Sequence, residues 1–236
     1  MIAISQPTFF PWIGYFDIID QVELFIILDD VDFSKQSWQQ RNRFKTSSEL
    51  EWFTVPVKNL SNKKINEVEI LNHERLLKKF KSFIQTNYSK SNYYNLYSEE
   101  IIDIFYQALA KNNLAVLNTK IIKFFLDVFK IKTKIQISSN LNINKQRSNK
   151  IVEICDKFKI NNYLSSYGAK DYLKKDKNIF IDKKINVFLH NYEHPIYNQL
   201  YPPFKPFAST LDLLFCEGKK SFDIIKKGRK EKFLLY

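Results

Sequence analysis

The sequence predicts an α/β protein built on a Rossmann-like, largely parallel sheet of about five strands, with a β-hairpin flap and a helical insertion. Three observations predict it. Short apolar runs alternate with helical patterns at both ends of the chain. The first two runs are continuously apolar, as a strand covered on both faces requires. Between the two α/β stretches lies a long block of helical periodicity alone.

Taken in order, Met1–Ser5 reads as a buried strand, Pro7 and Pro11 bound a loop, and Ile13–Asp20 has helical spacing. Leu24–Leu28 is the second strand, stopping at Asp29-Asp30, so the opening is a βαβ unit. Residues 31–57 change character: SWQQRNRFKT and LEWFTVP alternate around a polar TSSE turn, which predicts the hairpin flap. Residues 74–130 carry three apolar stripes, in HERLLKKFKSFIQTNY, SEEIIDIFYQALAKNN and LAVLNTKIIKFFLDVFK, and form the insertion. The α/β rhythm returns over 131–236, beginning with KTKIQISS as a strand and RSNKIVEICDKFK as a helix capped by Ser148. NNYLSS follows as a strand, AKDYLKK as a helix and INVFLH as the final strand. A stiff YPPFKPF loop then leads to STLDLLFCEG, capped by Ser209 or Thr210, and to a basic tail. The expectation is one domain over 1–236, with its sheet core in 1–57 and 131–236.

Hydrophobic residues make up 44% of the chain and aromatics 16%, which excludes a disordered polypeptide. The net charge of +12, from 37 Lys+Arg against 25 Asp+Glu, calls for an anionic partner. The excess is scattered in pairs such as Lys63-Lys64, Lys78-Lys79, Lys183-Lys184 and Lys226-Lys227, with no arginine-rich tract. A small phosphorylated or nucleotide-linked substrate therefore ranks ahead of nucleic acid. Cys155 and Cys216 sit in apolar helical patterns and read as buried free thiols. No secretory leader pattern and no run long enough to span a bilayer is present, so a cytoplasmic location is expected. His73, His190 and His194 are spaced too irregularly for a metal motif; no metal site is predicted and no cofactor is indicated. Serine-nucleophile and glycine-rich phosphate signatures are absent.

In a parallel sheet, ligands bind where loops leave the carboxyl ends of the strands. Here those loops carry Ser5-Gln6-Pro7, Asp29-Asp30, Ser138-Ser139 and Ser165-Ser166-Tyr167-Gly168. The prolines of QPTFFPWIGYF stiffen the first loop, holding Gln6 and Trp12, with Gly14 beyond, against a ligand. The plainer alternative is that Phe9, Phe10 and Trp12 plug the core, and the two readings are compatible. Asp29 and Asp30 are the candidate catalytic carboxylates, as base or hydroxyl anchor, against the alternative of a solvated strand end. In WQQRNRFK, alternation places Arg41, Arg43 and Lys45 on one face beside Trp38 and Asn42, a set suited to phosphate or carboxylate unless it is merely an exposed basic flap. Arg147 with Ser148 at a helix start is a further anion candidate, and Ser165, Ser166 and Gly168 would line the floor.

Together these residues resemble the WbqC-like family, whose members are often encoded among bacterial O-antigen and surface-polysaccharide genes. The resemblance rests on Gln6, Pro7, Phe9, Phe10, Pro11, Trp12, Gly14, Tyr15 and Phe16, then Asp29, Asp30, Phe33, Lys35, Trp38, Arg41 and Asn42. It continues through Thr54 and Pro56 to Tyr163, Ser165, Gly168, Tyr172, Leu173, Tyr197, Gln199, Ser209 and Asp212. Two positions depart: Ser5 stands where many members carry His or Met, and Gln40 where Asn is expected. A looser similarity to adenylyl-transferring nucleotidyltransferases stops at Trp12-Ile13-Gly14-Tyr15, which lacks both signature histidines. The family resemblance implies modification of an amino sugar or nucleotide-linked sugar, by acyl or aminoacyl transfer. A non-enzymatic scaffold of glycan assembly and a nucleic-acid-binding protein are the alternative expectations.

Overall fold

Ile2–Ser5 forms β1 near the middle of a six-stranded sheet in the computed structural model, which describes residues 1–58 and 62–236. Around it, in chain order, come α1 (Ile13–Asp20), β2 (Leu24–Ile27), β3 (Arg41–Lys45), β4 (Leu50–Thr54), α2 (His73–Tyr88), α3 (Tyr94–Leu109) and α4 (Leu114–Phe129). The second half supplies β5 (Lys134–Ile137), α5 (Arg147–Lys157), β6 (Asn162–Ser165), α6 (Lys170–Lys175), α7 (Lys177–Ile181) and β7 (Asn186–Leu189). It closes with α8 (Thr210–Glu217), α9 (Ser221–Lys227) and β8 (Phe233–Leu234).

The sheet order is β5-β2-β1-β6-β7-β8; the first five strands are parallel and β8 is antiparallel to β7. From β1 the chain first moves outward through β2 to β5, then returns to the other side of β1 as β6 and β7. The winding therefore reverses between β1 and β6, where an open parallel sheet leaves a crevice above its carboxyl ends. The tail expected to be only basic instead covers the β7 edge: Phe233 and Leu234 pair with Leu189 and Phe188. Two apolar residues in register with an unpaired strand edge explain this outcome.

Side-chain alternation divides the sheet between two cores. Ala3, Phe25, Ile27 and Leu164 point to the face that carries α1, the hairpin and α2–α4. Ile2, Ile4, Leu24, Ile26, Tyr163, Val187 and Leu189 point to the face covered by α5–α7. The three insertion helices form because buried residues recur one turn apart, as in Leu76, Phe80, Ile84 and Tyr88 of α2. Asn113 caps α4 by accepting from the Val116 N–H at 3.0 Å. Ser148 does not cap α5. The cap position belongs to Gln146, and the Ser148 hydroxyl donates to Asp176 instead.

The hairpin pairs Arg41 with Thr54 and Lys45 with Leu50. Its turn closes through the Thr46 N–H, which donates to the Glu49 carbonyl at 2.9 Å.

Candidate functional site

A cleft of about 780 Å³ lies over the carboxyl ends of β1, β6 and β7, at the reversal of winding. Ser5, Ser166, Gly168 and His190 line it from the strand ends, and Trp12, Tyr192 and Phe207 from one side. Trp38, Asn42 and Arg43 line it from the hairpin side. The sequence-predicted residues brought together here are therefore Trp12, Trp38, Asn42, Ser166 and Gly168, joined by Arg43.

The proline-bounded loop is fixed from every side. Asn118 on α4 donates to the Pro7 carbonyl at 3.1 Å and to that of Gln39 at 2.7 Å. The Phe9 N–H donates to the Trp38 carbonyl at 2.8 Å, and the Thr210 N–H to the Pro11 carbonyl at 3.0 Å. Asn42 donates to the carbonyls of Phe9 and Phe10, at 3.1 and 2.6 Å, while its own oxygen accepts from the Arg43 N–H at 2.7 Å. Asn42 thus spends its amide on the loop. It touches the cleft but is committed to positioning. Gln6 is exposed and accepts from Gln39 Nε2 at 2.9 Å; its carbonyl accepts from the Tyr15 hydroxyl at 3.1 Å.

Phe9 and Phe10 point away from the cleft and are fully buried. Phe10 stacks on Phe80 at 5.4 Å and Phe9 on Phe53 at 6.0 Å, tying the loop to the insertion and to the hairpin. The loop divides between its residues: the phenylalanines plug the core, Trp12 lines the cleft, and Gln6 is not part of that lining. The Trp12 indole lies flat on Gly14, so closely that a Cβ there would collide with the ring. Gly14 lines nothing itself; its missing side chain is the seat of the indole. Tyr192 meets Trp12 edge-on at 5.5 Å, and Phe207 packs at 5.6 Å.

The three cations of the hairpin separate. Arg43 faces the cleft with its guanidinium 5.7 Å from the Trp38 ring and 5.8 Å from the Trp52 ring. Its Nε is buried without a hydrogen-bond partner, and among the described residues no carboxylate pairs with it. Arg41 lies outside the lining, stacked 4.2 Å over Trp52. Lys45 does not join a basic face: it is 1% exposed and donates to the Thr46 carbonyl at 2.9 Å. Its charge is held near Asp212, whose carboxyl burial pushes up to about 6 against the hydrogen bonds it accepts and the lysine's charge.

The twin aspartates are likewise engaged elsewhere. Asp29 accepts from the Ser139 N–H at 2.9 Å and from the Ser139 hydroxyl at 2.7 Å. Asp30 pairs with the buried Lys150 ammonium on α5 at 2.5 Å. Because β2 is flanked by β5, its carboxyl end packs against the turn after β5 and the helix that follows, and neither aspartate lines the cleft. Ser165 is buried, and its carbonyl accepts from the His190 N–H at 2.7 Å. Arg147 is exposed at the start of α5, outside the cleft lining.

One group had not been singled out by motif. His190 follows β7, is 4% exposed, and lines the cleft. Its Nε2 lies 2.7 Å from the fully buried Asp17 carboxylate of α1. Asp17 also accepts from Arg229 Nε at 2.8 Å and from Gln21 Nε2 at 2.7 Å, and Arg229 reaches Asp20 at 2.6 Å. The available signals were a polar residue closing an apolar strand and an aspartate inside the apolar stripe IGYFDIID. Burial raises the Tyr15 and Tyr192 hydroxyls well above their ordinary range, the Asp17 charge adding to the effect at Tyr192. Burial also pushes the Cys155 thiol up to about 12.

The chain matches the family model described as the WbqC-like protein family over residues 6–224. It is 30% identical to "Uncharacterized protein Rv1507c" of Mycobacterium tuberculosis, over 97% of this chain and 99% of that protein. No solved structure gives a significant match. Among the described residues no helix is long and apolar enough to cross a membrane.

Proposed function

The chain belongs to the WbqC-like protein family, and from that premise we propose that it is a transferase of bacterial surface-polysaccharide assembly, acting on an amino sugar or nucleotide-linked sugar. The observation that carries this reading is the pairing of an uncompensated guanidinium, Arg43, with aromatic walls in a cleft at the switch point of a parallel sheet. A guanidinium fork suits a phosphate group. Flat aromatic faces suit a sugar ring or a nucleobase, and a loop braced by seven hydrogen bonds to its backbone and to Gln6 loses little entropy when a ligand arrives.

The roles divide accordingly. Arg43 would bind phosphate between Trp38 and Trp52, Trp12 and Tyr192 would pack on the sugar, and Ser166 with Gly168 would border the reacting group. Asp29 and Asp30, with partners of their own, shape the neighbouring loop. The reaction class that fits the family setting is acyl or aminoacyl transfer to a sugar amine or hydroxyl.

Thermal-shift titration with UDP, UDP-glucosamine and acetyl-CoA tests the reading. A ligand at a hundred times its Kd stabilises the fold by about 2.7 kcal/mol, a readily measured shift. Stabilisation by UDP-glucosamine that Arg43→Gln removes is the expected result. No shift with any of the three, or binding only to oligonucleotide with a steep salt dependence, would overturn it.

A further inference from the structure

We propose that His190 is the proton acceptor of the cleft, with Asp17 and Arg229 as its positioning residues. The geometry carries the assignment. A histidine is the commonest general acid–base side chain, and its two ring nitrogens act differently according to what each one meets. Nε2 faces the Asp17 carboxylate at 2.7 Å, and a carboxylate can only accept, so the proton of the neutral ring resides on Nε2. Nδ1 then carries the lone pair. Among the described residues the ring's one hydrogen bond is that of Nε2 to Asp17, and the ring borders the cleft.

The carboxylate is itself held. Asp17 Oδ1 accepts from Arg229 Nε at 2.8 Å, and Arg229 is anchored in turn by Asp20 at 2.6 Å. The backbone beneath the ring is fixed by the His190 N–H, which donates to the Ser165 carbonyl of β6 at 2.7 Å. Tyr192 stacks on the imidazole at 5.5 Å and continues to Trp12, also at 5.5 Å edge-on, so the candidate base and the candidate sugar platform form one aromatic wall.

Under the transfer reading above, on which this step rests, the chemistry balances with a thioester donor. The acceptor amine or hydroxyl gives its proton to His190 Nδ1 while its lone pair bonds to the acyl carbon. The thioester C–S bond then breaks, its electron pair leaves on sulfur, and the imidazolium returns the proton to that thiolate. The products are the acylated sugar and a free thiol, and His190 ends as it began.

Two measurements decide the assignment without any sugar ligand. Long-range ¹H–¹⁵N NMR of the imidazoles, assigned with His190→Asn, is expected to show the His190 proton on Nε2 and the lone pair on Nδ1. Diethyl pyrocarbonate followed by peptide mapping is expected to carbethoxylate His190 in the folded protein. A proton on Nδ1, or a native protein whose His190 resists carbethoxylation, overturns the proposal. In the transfer assay with UDP-glucosamine and acetyl-CoA, His190→Asn should lower kcat by about 10²- to 10⁴-fold while the UDP-glucosamine thermal shift persists. Unchanged kcat also overturns it. If no sugar nucleotide binds, the transferase reading fails, and the NMR and carbethoxylation results still decide the role of His190.

Discussion

Asn42 donates to the Phe10 carbonyl at 2.6 Å, and Phe10 stands at φ 42°, a left-handed conformation that a phenylalanine adopts only under constraint. The hairpin therefore holds the first loop in a shape the loop would not keep alone. Asn42→Ala removes two donors from buried carbonyls and should lower stability by about 2–4 kcal/mol. Urea denaturation measures this. Because the same amide aligns the loop that carries Trp12, UDP-glucosamine binding should weaken as well. A variant that is destabilised yet binds normally would show that the loop keeps its shape by other means.

The two hairpin arginines should behave differently. Both bury an Nε without a hydrogen-bond partner, but Arg43 faces the cleft, whereas Arg41 is stacked on Trp52 outside it. Arg43→Gln should weaken UDP-glucosamine by roughly 10- to 100-fold, the loss of about 1.5–3 kcal/mol expected when one hydrogen-bonded charge is removed. Arg41→Gln should leave affinity unchanged and reduce stability by about 0.5–1 kcal/mol through the lost cation–π contact. Calorimetric titration of both variants compares them directly, and equal losses of affinity would place both arginines on the ligand.

Much of this architecture was legible because periodicity reports burial. The continuous runs of β1 and β2, the alternating hairpin and the three striped helices all appear where their patterns predict them. The C-terminal β8 was not legible, since two apolar residues carry no period; only the unpaired edge of β7 gives them a partner. At the site, the first loop was readable from its prolines and aromatics. The surroundings of the aspartate pair were not legible: sequence cannot reveal that Ser139 and Lys150 lie within reach, because those contacts span 110 and 120 residues. A longer separation, 173 residues, hides the link from Asp17 to His190. Lys45 shows the limit of alternation, which places a side chain on a face without saying whether that face is later covered.

Gly14 supplies a test of the Trp12 platform. A methyl group at this position collides with the indole, so Gly14→Ala must push Trp12 towards the cleft. Overpacking of this kind costs about 1–3 kcal/mol. UDP-glucosamine affinity should fall with it. Adding Trp12→Leu should restore stability by removing the clash, but should not restore binding. If Gly14→Ala alone binds as tightly as the parent, the indole is no part of the sugar platform.

Asp212 predicts an unusual pH dependence of stability. Its carboxyl is 1% exposed; it accepts from the Tyr197 hydroxyl at 2.6 Å and from Gln199 Nε2 at 2.9 Å. Burial nevertheless raises its pKa to about 6. In the unfolded chain the group ionises near pH 4, so between about pH 4 and 6 the folded state holds more protons than the unfolded state. Where the folded state binds more protons, stability falls as pH rises, opposite in slope to a carboxylate whose pKa is lowered by a cation. The contribution should thus be greatest below pH 4, decline by roughly 3 kcal/mol by pH 6.5, and stay flat above. Asp212→Asn cannot ionise and should lose this slope. Urea midpoints of both proteins from pH 4 to 8 would therefore differ by an amount that changes up to about pH 6.5 and then holds constant. A difference independent of pH would mean that Tyr197, Gln199 and Lys45 together compensate the buried charge in full.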